Sequence, residues 1–192
     1  MKLRATYFCI DIECNGPVPG LYDMVSLGAI VVKSVDGRPR LGQKFYVEIR
    51  PEAPRFDAAA AAIHGLDQNK LHREGLPRAE ACRQLIAWVA RHTDVGSQSV
   101  FVGHNAPFDW SFVAWTFAAE NLKNPFGYKA LDTKALAMGV LDLHWLNSSK
   151  DTIQGILNLP LEDKDKKHRA DYDAEYQALI LVGLLNRMSS EP

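Results

Sequence analysis

The apolar residues of this chain recur with two different periods, and the order of those periods predicts an architecture. Ala5–Ile12 is a short, nearly continuous apolar run of the kind a buried strand presents. Asn15–Asp23 carries two prolines and two glycines and reads as a loop. Met24–Lys33 predicts a second strand, turned at Asp36-Gly37 into a third over Gln43–Ile49, so these strands are antiparallel neighbours at least in part. Past Pro51 and Pro54, the alanine-rich Asp57–Ile63 predicts a short helix ending at Gly65. Leu76–His92 predicts a longer one, with Pro77 at its start and Leu85, Ile86 and Val89 as its apolar stripe. Ser99–Val102 reads as a strand, Asp109–Glu120 as a helix through Phe112, Val113 and Phe117, and Lys129–Leu131 as the last strand. Helices over Thr133–Met138 and Thr152–Leu157, a solvated loop over Glu162–Lys167 and a closing helix over Ala170–Met188 complete the chain. There is no internal repeat. The order predicts one α/β domain over 1–192, with its core about 5–188: a five-stranded mixed sheet flanked by helices.

Composition narrows this picture only slightly. A chain of 192 residues with 47% apolar and 23% charged residues suits one globular core. The net charge of −1 gives no global attraction for a polyanion, so binding one would require a local basic patch or bound metals. Lys164, Lys166, Lys167 and Arg169 form the clearest basic cluster; its default reading is a solvated loop, but its place beside His168 suits guidance of a phosphodiester backbone. Cys9, Cys14 and Cys82 make neither a metal-type nor a disulfide framework, which suits a reduced, cytoplasmic setting. The opening M-K-L-R-A-T-Y leaves no room for a signal peptide, and no apolar run reaches the roughly eighteen residues of a membrane span.

The candidate chemistry begins with Asp11 and Glu13. Residues two apart on a strand share a face, so both carboxylates project together near the strand's end. Two like charges on an otherwise apolar strand are unfavourable unless neutralised, and a divalent cation would do so. Further candidates are Asp109 at the head of a helix, His168 and Asp173 on either side of the start of the last helix, and His104-Asn105 where a strand gives way to a loop. Taken singly, most have a plainer reading. Asp109, Asp171 and Asp173 suit the positive end of a helix dipole, His168 the surface, Glu13 the start of a loop, and Asp132 the cap of the helix at Thr133. Taken together, four carboxylates and a histidine, each at a strand's end or a helix's head, point to one edge of the sheet. An all-carboxylate set selects a hard ion, Mg²⁺ or Mn²⁺. Two such ions about 4 Å apart clamp the attacking and leaving oxygens of a phosphodiester. Asp11 suits the bridging position, Glu13 and Asp173 would complete one ion and Asp109 would hold the second. His168 is suited to take a proton from the attacking water near neutral pH.

These residues resemble the motifs of a known family. D-x-E-T appears here as Asp11-Ile12-Glu13-Cys14, H-N-x-x-F-D as His104-Asn105-Ala106-Pro107-Phe108-Asp109, and H-x-x-x-x-D as His168 to Asp173. Ile63-His64-Gly65-Leu66 and Leu131-Asp132-Thr133 match intervening landmarks. The chain is thus similar to the DEDD-type 3′→5′ exonucleases with a histidine in the last motif, the group of the polymerase proofreading epsilon subunit, ribonuclease T and oligoribonuclease. The resemblance implies a ribonuclease H-like exonuclease fold and two Mg²⁺ (or Mn²⁺) ions on the acids at Asp11, Glu13, Asp109 and Asp173. It also implies His168 as general base, and release of nucleoside 5′-monophosphates from single-stranded 3′ ends. It places Cys14 and Asn15 against the terminal nucleotide and sugar, and Leu66, Phe108 and Trp110 against its base, although Trp110 is equally a core candidate. His104 and Asn105 fall in the same substrate-facing loop. Cys14-Asn15 departs from the threonine-like residues usual there, which bears on substrate preference. Gly103–Met138, with Asn124-Pro125-Phe126, is most similar to ribonuclease T, which favours RNA over DNA and allows a homodimer. The short tail Ser189–Pro192 favours a stand-alone enzyme over a polymerase subunit. The alternatives are a DNA exonuclease of the proofreading or repair type and a non-catalytic nucleic-acid-binding module; the module predicts loss of at least one of the five site residues, and all are present.

Overall fold

Strand β1 (Arg4–Cys14) organises the fold because both of its faces are apolar: Thr6, Phe8, Cys9, Ile10 and Ile12 are all buried. The computed structural model describes residues 4–190. Met1–Leu3 and Glu191–Pro192, on which the expectations about the two chain ends partly rest, lie outside the described residues. With β2 (Met24–Val35), β3 (Arg38–Glu48), β4 (Ser97–Gly103) and β5 (Ala130–Asp132), β1 forms a five-stranded sheet of order β3-β2-β1-β4-β5. The β1/β2 and β2/β3 pairs are antiparallel, and β1/β4 and β4/β5 are parallel. This is the mixed sheet the sequence predicts. Asp36 and Gly37 both take positive φ (51° and 76°), as a two-residue hairpin turn requires. Strand β3 begins at Arg38 rather than Gln43; its first half is a mostly exposed edge that carries no apolar signal, and Pro39 is tolerated there.

The helices are α1 (Ala58–His64), α2 (Gln68–Glu74), α3 (Arg78–His92), α4 (Pro107–Ala119), α5 (Thr133–Leu141), α6 (Lys150–Leu157) and α7 (Ala170–Ser190), with a 3₁₀ turn over Trp145–Asn147. Helix α2 is not predicted by the sequence pattern. It buries only Leu71, so no periodicity marks it, and its start is fixed by Asp67 accepting from the Asn69 and Lys70 amides. Asp57 caps α1 in the same way, and Asp132 caps α5 through the Lys134 amide. No helix of the described residues is long and apolar enough to cross a membrane.

The two faces of β1 divide the core. Phe8, Ile10 and Ile12 pack with Leu85 and Trp88 of α3 and Phe112 and Phe117 of α4. Tyr7 and Cys9, on the opposite face, pack with Ala178 and Leu181 of α7. Asp11 and Glu13 continue that second alternation, so they project toward α7. Two strand residues advance about 6.6 Å and four helical residues about 6.0 Å, so a stripe of every fourth residue on α7 can keep step with alternate residues of β1. Asp173, Gln177 and Leu181 are that stripe, meeting Glu13, Asp11 and Cys9 in turn. Beyond Glu13 the ladder ends irregularly: Glu13 pairs with Ser26 but Cys14 with Met24, leaving Val25 as an extra residue.

Gly28, opposite Asp11 on β2, is what lets α7 come so near. A Cβ there would collide with the Ala170 carbonyl and the Asp171 amide, both backbone and unable to turn aside. Gly28→Ala is therefore expected to lift the first turn of α7 from the sheet. Thermal or urea denaturation should register a loss of about 1–3 kcal/mol.

Candidate active site

Five predicted residues come together where β1 ends and α7 begins. Ligand atoms of Glu13, His168 and Asp173 all lie within 4.8 Å of one another. One ion with ligand distances of about 2.0–2.6 Å can span such a set, and two carboxylates with an imidazole are suitable donors for a divalent metal. Asp11 lies beside them, its Oδ1 accepting from Gln177 Nε2 at 2.6 Å. Asp109 arrives from the other side of the sheet, because the first turn of α4 places its carboxylate against the backbone of β1. Its Oδ1 accepts from the Ile12 amide at 3.1 Å. Asp173 Oδ2 accepts from the His168 amide at 2.7 Å, and its Oδ1 from Lys150 Nζ at 3.2 Å. His168 takes a left-handed conformation (φ 64°), a local strain that a histidine tolerates better than most side chains. Its residue is exposed, whereas Asp109 and Asp173 are buried.

Burial and mutual repulsion govern the charge of this cluster. Burial pushes Glu13 up to about 8, reinforced by the charges of Asp173 and Asp109 and opposed by Lys150. Burial raises Asp109 to about 7 despite the Ile12 amide and the Lys150 ammonium, which favour its ionised form. Asp11 is held well above the usual carboxylate range, by burial first and then by Asp109. A bound cation would reverse each of these shifts, so metal uptake and proton release are coupled here.

The His104-Asn105 turn braces the site from the side. Thr133 donates its hydroxyl hydrogen to the Gly103 carbonyl and lies 3.0 Å from His104 Nδ1, so the imidazole is the donor to Thr133. Burial, with Lys150 adding to it, depresses His104 to about 4, which keeps it neutral. Gln177 Oε1 accepts from the His104 amide while its Nε2 reaches Asp11, making one side chain the link between turn and carboxylate. Asp132 Oδ1 accepts from the amides of both Asn105 and Lys134. Asn15 is buried, and its amide is engaged by Gln68 and by His64 Nε2. The Leu66 amide donates to His64 Nδ1, which sets Nε2 as the protonated nitrogen of the neutral ring.

Beside Glu13 opens an apolar slot lined by Ile12, Cys14, Gly16, Ile63 and Phe108. Ile63 and Phe108 are exposed at its mouth. Burial raises the Cys14 thiol to about 11, so it presents a neutral wall. Leu66 and Trp110 do not line the slot. Leu66 is half-buried, and Trp110 packs edge-on against Phe101, with ring centroids 5.1 Å apart. The basic loop is largely engaged locally, Lys166 with Asp163, Lys167 with Glu162 and Arg169 with Asp171. Three participants escape a reading of the sequence. Gln177 was detectable as the residue four beyond Asp173. Ile63 stands in a motif whose Leu66 looked the better apolar candidate. Lys150, at the head of α6, carries no local signal.

With this geometry in view, the relatives become informative. The family described as the 3′-5′ exoribonuclease Rv2179c-like domain matches residues 6–184. The chain is 35% identical over 178 residues to the 3′-5′ DNA exonuclease Cap18 of Escherichia coli, covering 92% of each. It is 29% identical over 184 residues to ribonuclease T of Marinobacter nauticus, covering 93% of this chain and 81% of that one. The nuclease domain of 3′hExo, a DEDDh family member bound to rAMP, superposes with a TM-score of 0.76 at 13% identity, over 95% of this chain and 91% of that one. Escherichia coli exonuclease I in complex with single-stranded DNA gives 0.73 at 15% identity, over 97% of this chain and 42% of that one. At such identities the likeness establishes the fold, the ribonuclease H-like exonuclease fold.

The raised carboxyls carry a pH signature. Unfolded Asp and Glu titrate near about 3.9 and 4.3. Native Asp109 and Glu13 hold their protons up to about 7 and about 8. Their contribution to stability is complete below the unfolded values and is lost as pH rises through the native ones. In chelator, Tm should fall between pH 5 and pH 8.5. Asp109→Asn should flatten part of that fall, and Mn²⁺ should reverse it at the alkaline end.

Proposed function

Because the chain belongs to the family of the 3′-5′ exoribonuclease Rv2179c-like domain, we propose that it removes mononucleotides from single-stranded 3′ ends by two-metal hydrolysis. The observation that carries this reading is the convergence of Glu13, His168 and Asp173 on one point, with Asp11 and Asp109 beside them, next to an open apolar slot. Asp11, Glu13, Asp109 and Asp173 hold the ions. When bound, Mg²⁺ or Mn²⁺ supplies Lewis acidity at the phosphate and a nucleophilic water at neutral pH. His168, carried on an exposed turn yet tied to Asp173 through its amide, takes the proton from that water.

Ile63 and Phe108 grip the face of the terminal base, an interaction that tolerates any sequence and requires the base to be unpaired. Cys14 forms the wall beside Glu13. Asn15, held by Gln68 and His64, serves the slot by fixing α1 in place, and His104 and Asn105 serve it by tying the β4 turn to Asp11 and Asp132. Leu66 acts through its amide, which donates to His64, and Trp110 packs against Phe101 in the core. RNA is the first substrate reading, supported by the family description and by the ribonuclease T relatives. DNA is the second, favoured by the 35% identity to a DNA exonuclease.

The test is digestion of end-labelled single-stranded RNA and DNA of matched sequence with Mg²⁺ or Mn²⁺. Stepwise shortening from the 3′ end is expected. Asp11→Asn should reduce it at least about 100-fold and His168→Ala about 10²–10⁴-fold. The RNA-to-DNA ratio of kcat/KM decides between the substrates. Absence of shortening on either strand would leave a nucleic-acid-binding module instead. Ile63→Ala and Phe108→Ala should act mainly on KM, each removing about 1–3 kcal/mol of binding.

A further inference from the structure

Lys150 is a cation in an unexpected place. It occupies the first position of α6, where the helix dipole disfavours positive charge, and its side chain is only 21% exposed. Its Nζ lies 3.2 Å from Oδ1 of Asp173, itself 5% exposed. The same ammonium acts favourably on the charges of Asp11, Glu13 and Asp109, so one lysine is the counter-charge to the whole carboxylate cluster. An ion coordinating Asp173 would sit about 2.0–2.6 Å from an oxygen that the ammonium already approaches. Two cations so close on one carboxylate repel strongly in a buried site.

A second carboxylate stands ready nearby. The Glu162 side chain, in the loop before α7, is 8% exposed and acts on the charge of Lys150. Its Oε1 is buried with no hydrogen-bond partner among the described residues, and its Oε2 has only a long contact, 3.5 Å, to Lys167. An unpartnered buried carboxylate oxygen is unfavourable and marks a position where a donor belongs. The four-carbon stem of a lysine is flexible enough to exchange one partner for another.

We propose that Lys150 is a built-in counter-cation that holds Asp173 in the metal-free protein, and that a divalent ion displaces its ammonium onto the vacant oxygen of Glu162. This rests on the metal-site reading of Asp11, Glu13, Asp109 and Asp173. The exchange keeps the carboxylates gathered before metal arrives, and it sets metal affinity by the difference between two ion pairs.

The test is Mn²⁺ binding by calorimetry and by the EPR signal of free Mn²⁺, with Tm measured in chelator. Lys150→Met should lower Tm in chelator and tighten Mn²⁺ binding about tenfold, and Glu162→Gln should weaken Mn²⁺ binding while leaving Tm in chelator nearly unchanged. The double variant should bind as Lys150→Met does, because Glu162 matters only through the lysine. Should Lys150→Met fold poorly, Lys150→Arg gives the complementary result: its planar fork grips Asp173 more firmly, so Mn²⁺ binding weakens while Tm in chelator holds. Unchanged Mn²⁺ affinity in Lys150→Met, with a raised KM for oligonucleotide, would overturn the proposal in favour of a phosphate contact. Additive effects in the double variant would overturn it as well. Failure of the wild type to bind Mn²⁺ would remove the metal-site reading itself, and this proposal with it.

Discussion

Four carboxylates gathered at the end of one buried strand repel each other, and the arrangement of this protein follows from having to hold them there. Asp11 and Glu13 cannot move apart, because they alternate on the strand that anchors the sheet. Asp109 is kept close by a backbone amide of that same strand, and Asp173 by the amide of His168. Gln177 and Lys150 supply the remaining donors. Each of these contacts favours a charge that burial disfavours, and burial still holds Glu13 and Asp109 above the usual carboxylate range. Such a deficit suits a cluster able to hold a divalent cation, which a cluster already balanced by its own donors would bind less readily.

The rest of the fold supplies the geometry. The near-equality of two strand steps and four helical steps lets α7 lay Asp173 and Gln177 against Glu13 and Asp11 without bending either element. Gly28 permits the close approach, and the irregular pairing at Val25 releases the strand just beyond Glu13, where Cys14 turns to the slot. The second contributions come from the opposite layer, where α4 carries both Asp109 for the charge cluster and Phe108 for the slot. The charge cluster and the slot therefore draw on adjacent residues of one helical turn.

Much of this was legible in the chain because it is written in local periods and short motifs. The period-two spacing of Asp11 and Glu13 and the helix-head positions of Asp109 and Asp173 were visible, and the structure gathers them with His168 as predicted. The mixed sheet follows from a hairpin followed by strand–helix–strand, whereas the order of its strands emerges only from the structure. What escaped was determined by distant partners. Helix α2 has a single buried residue and no stripe to betray it. Asp171 reads as a plain helix-head acid, yet it is half-buried with one oxygen lacking a partner among the described residues. Lys150 looks like any lysine on a surface helix until α6 is folded against α7. The amide of Asn15 looked free for a ligand, yet His64 and Gln68, about fifty residues away, engage it.

The bond between Gln177 and Asp11 joins residues 166 positions apart, and the one between Ile12 and Asp109 joins residues 97 apart. Contacts of such separation form late, because the loop entropy between their partners must be overcome first. On the ribosome, β1 with its two acids precedes α7 and must wait for that helix before Asp173 and Gln177 exist. A nascent chain that has not yet made and docked Asp173 and Gln177 thus carries only part of the carboxylate cluster. Sequence separation itself acts as a delay on the assembly of the cluster until α7 has been made.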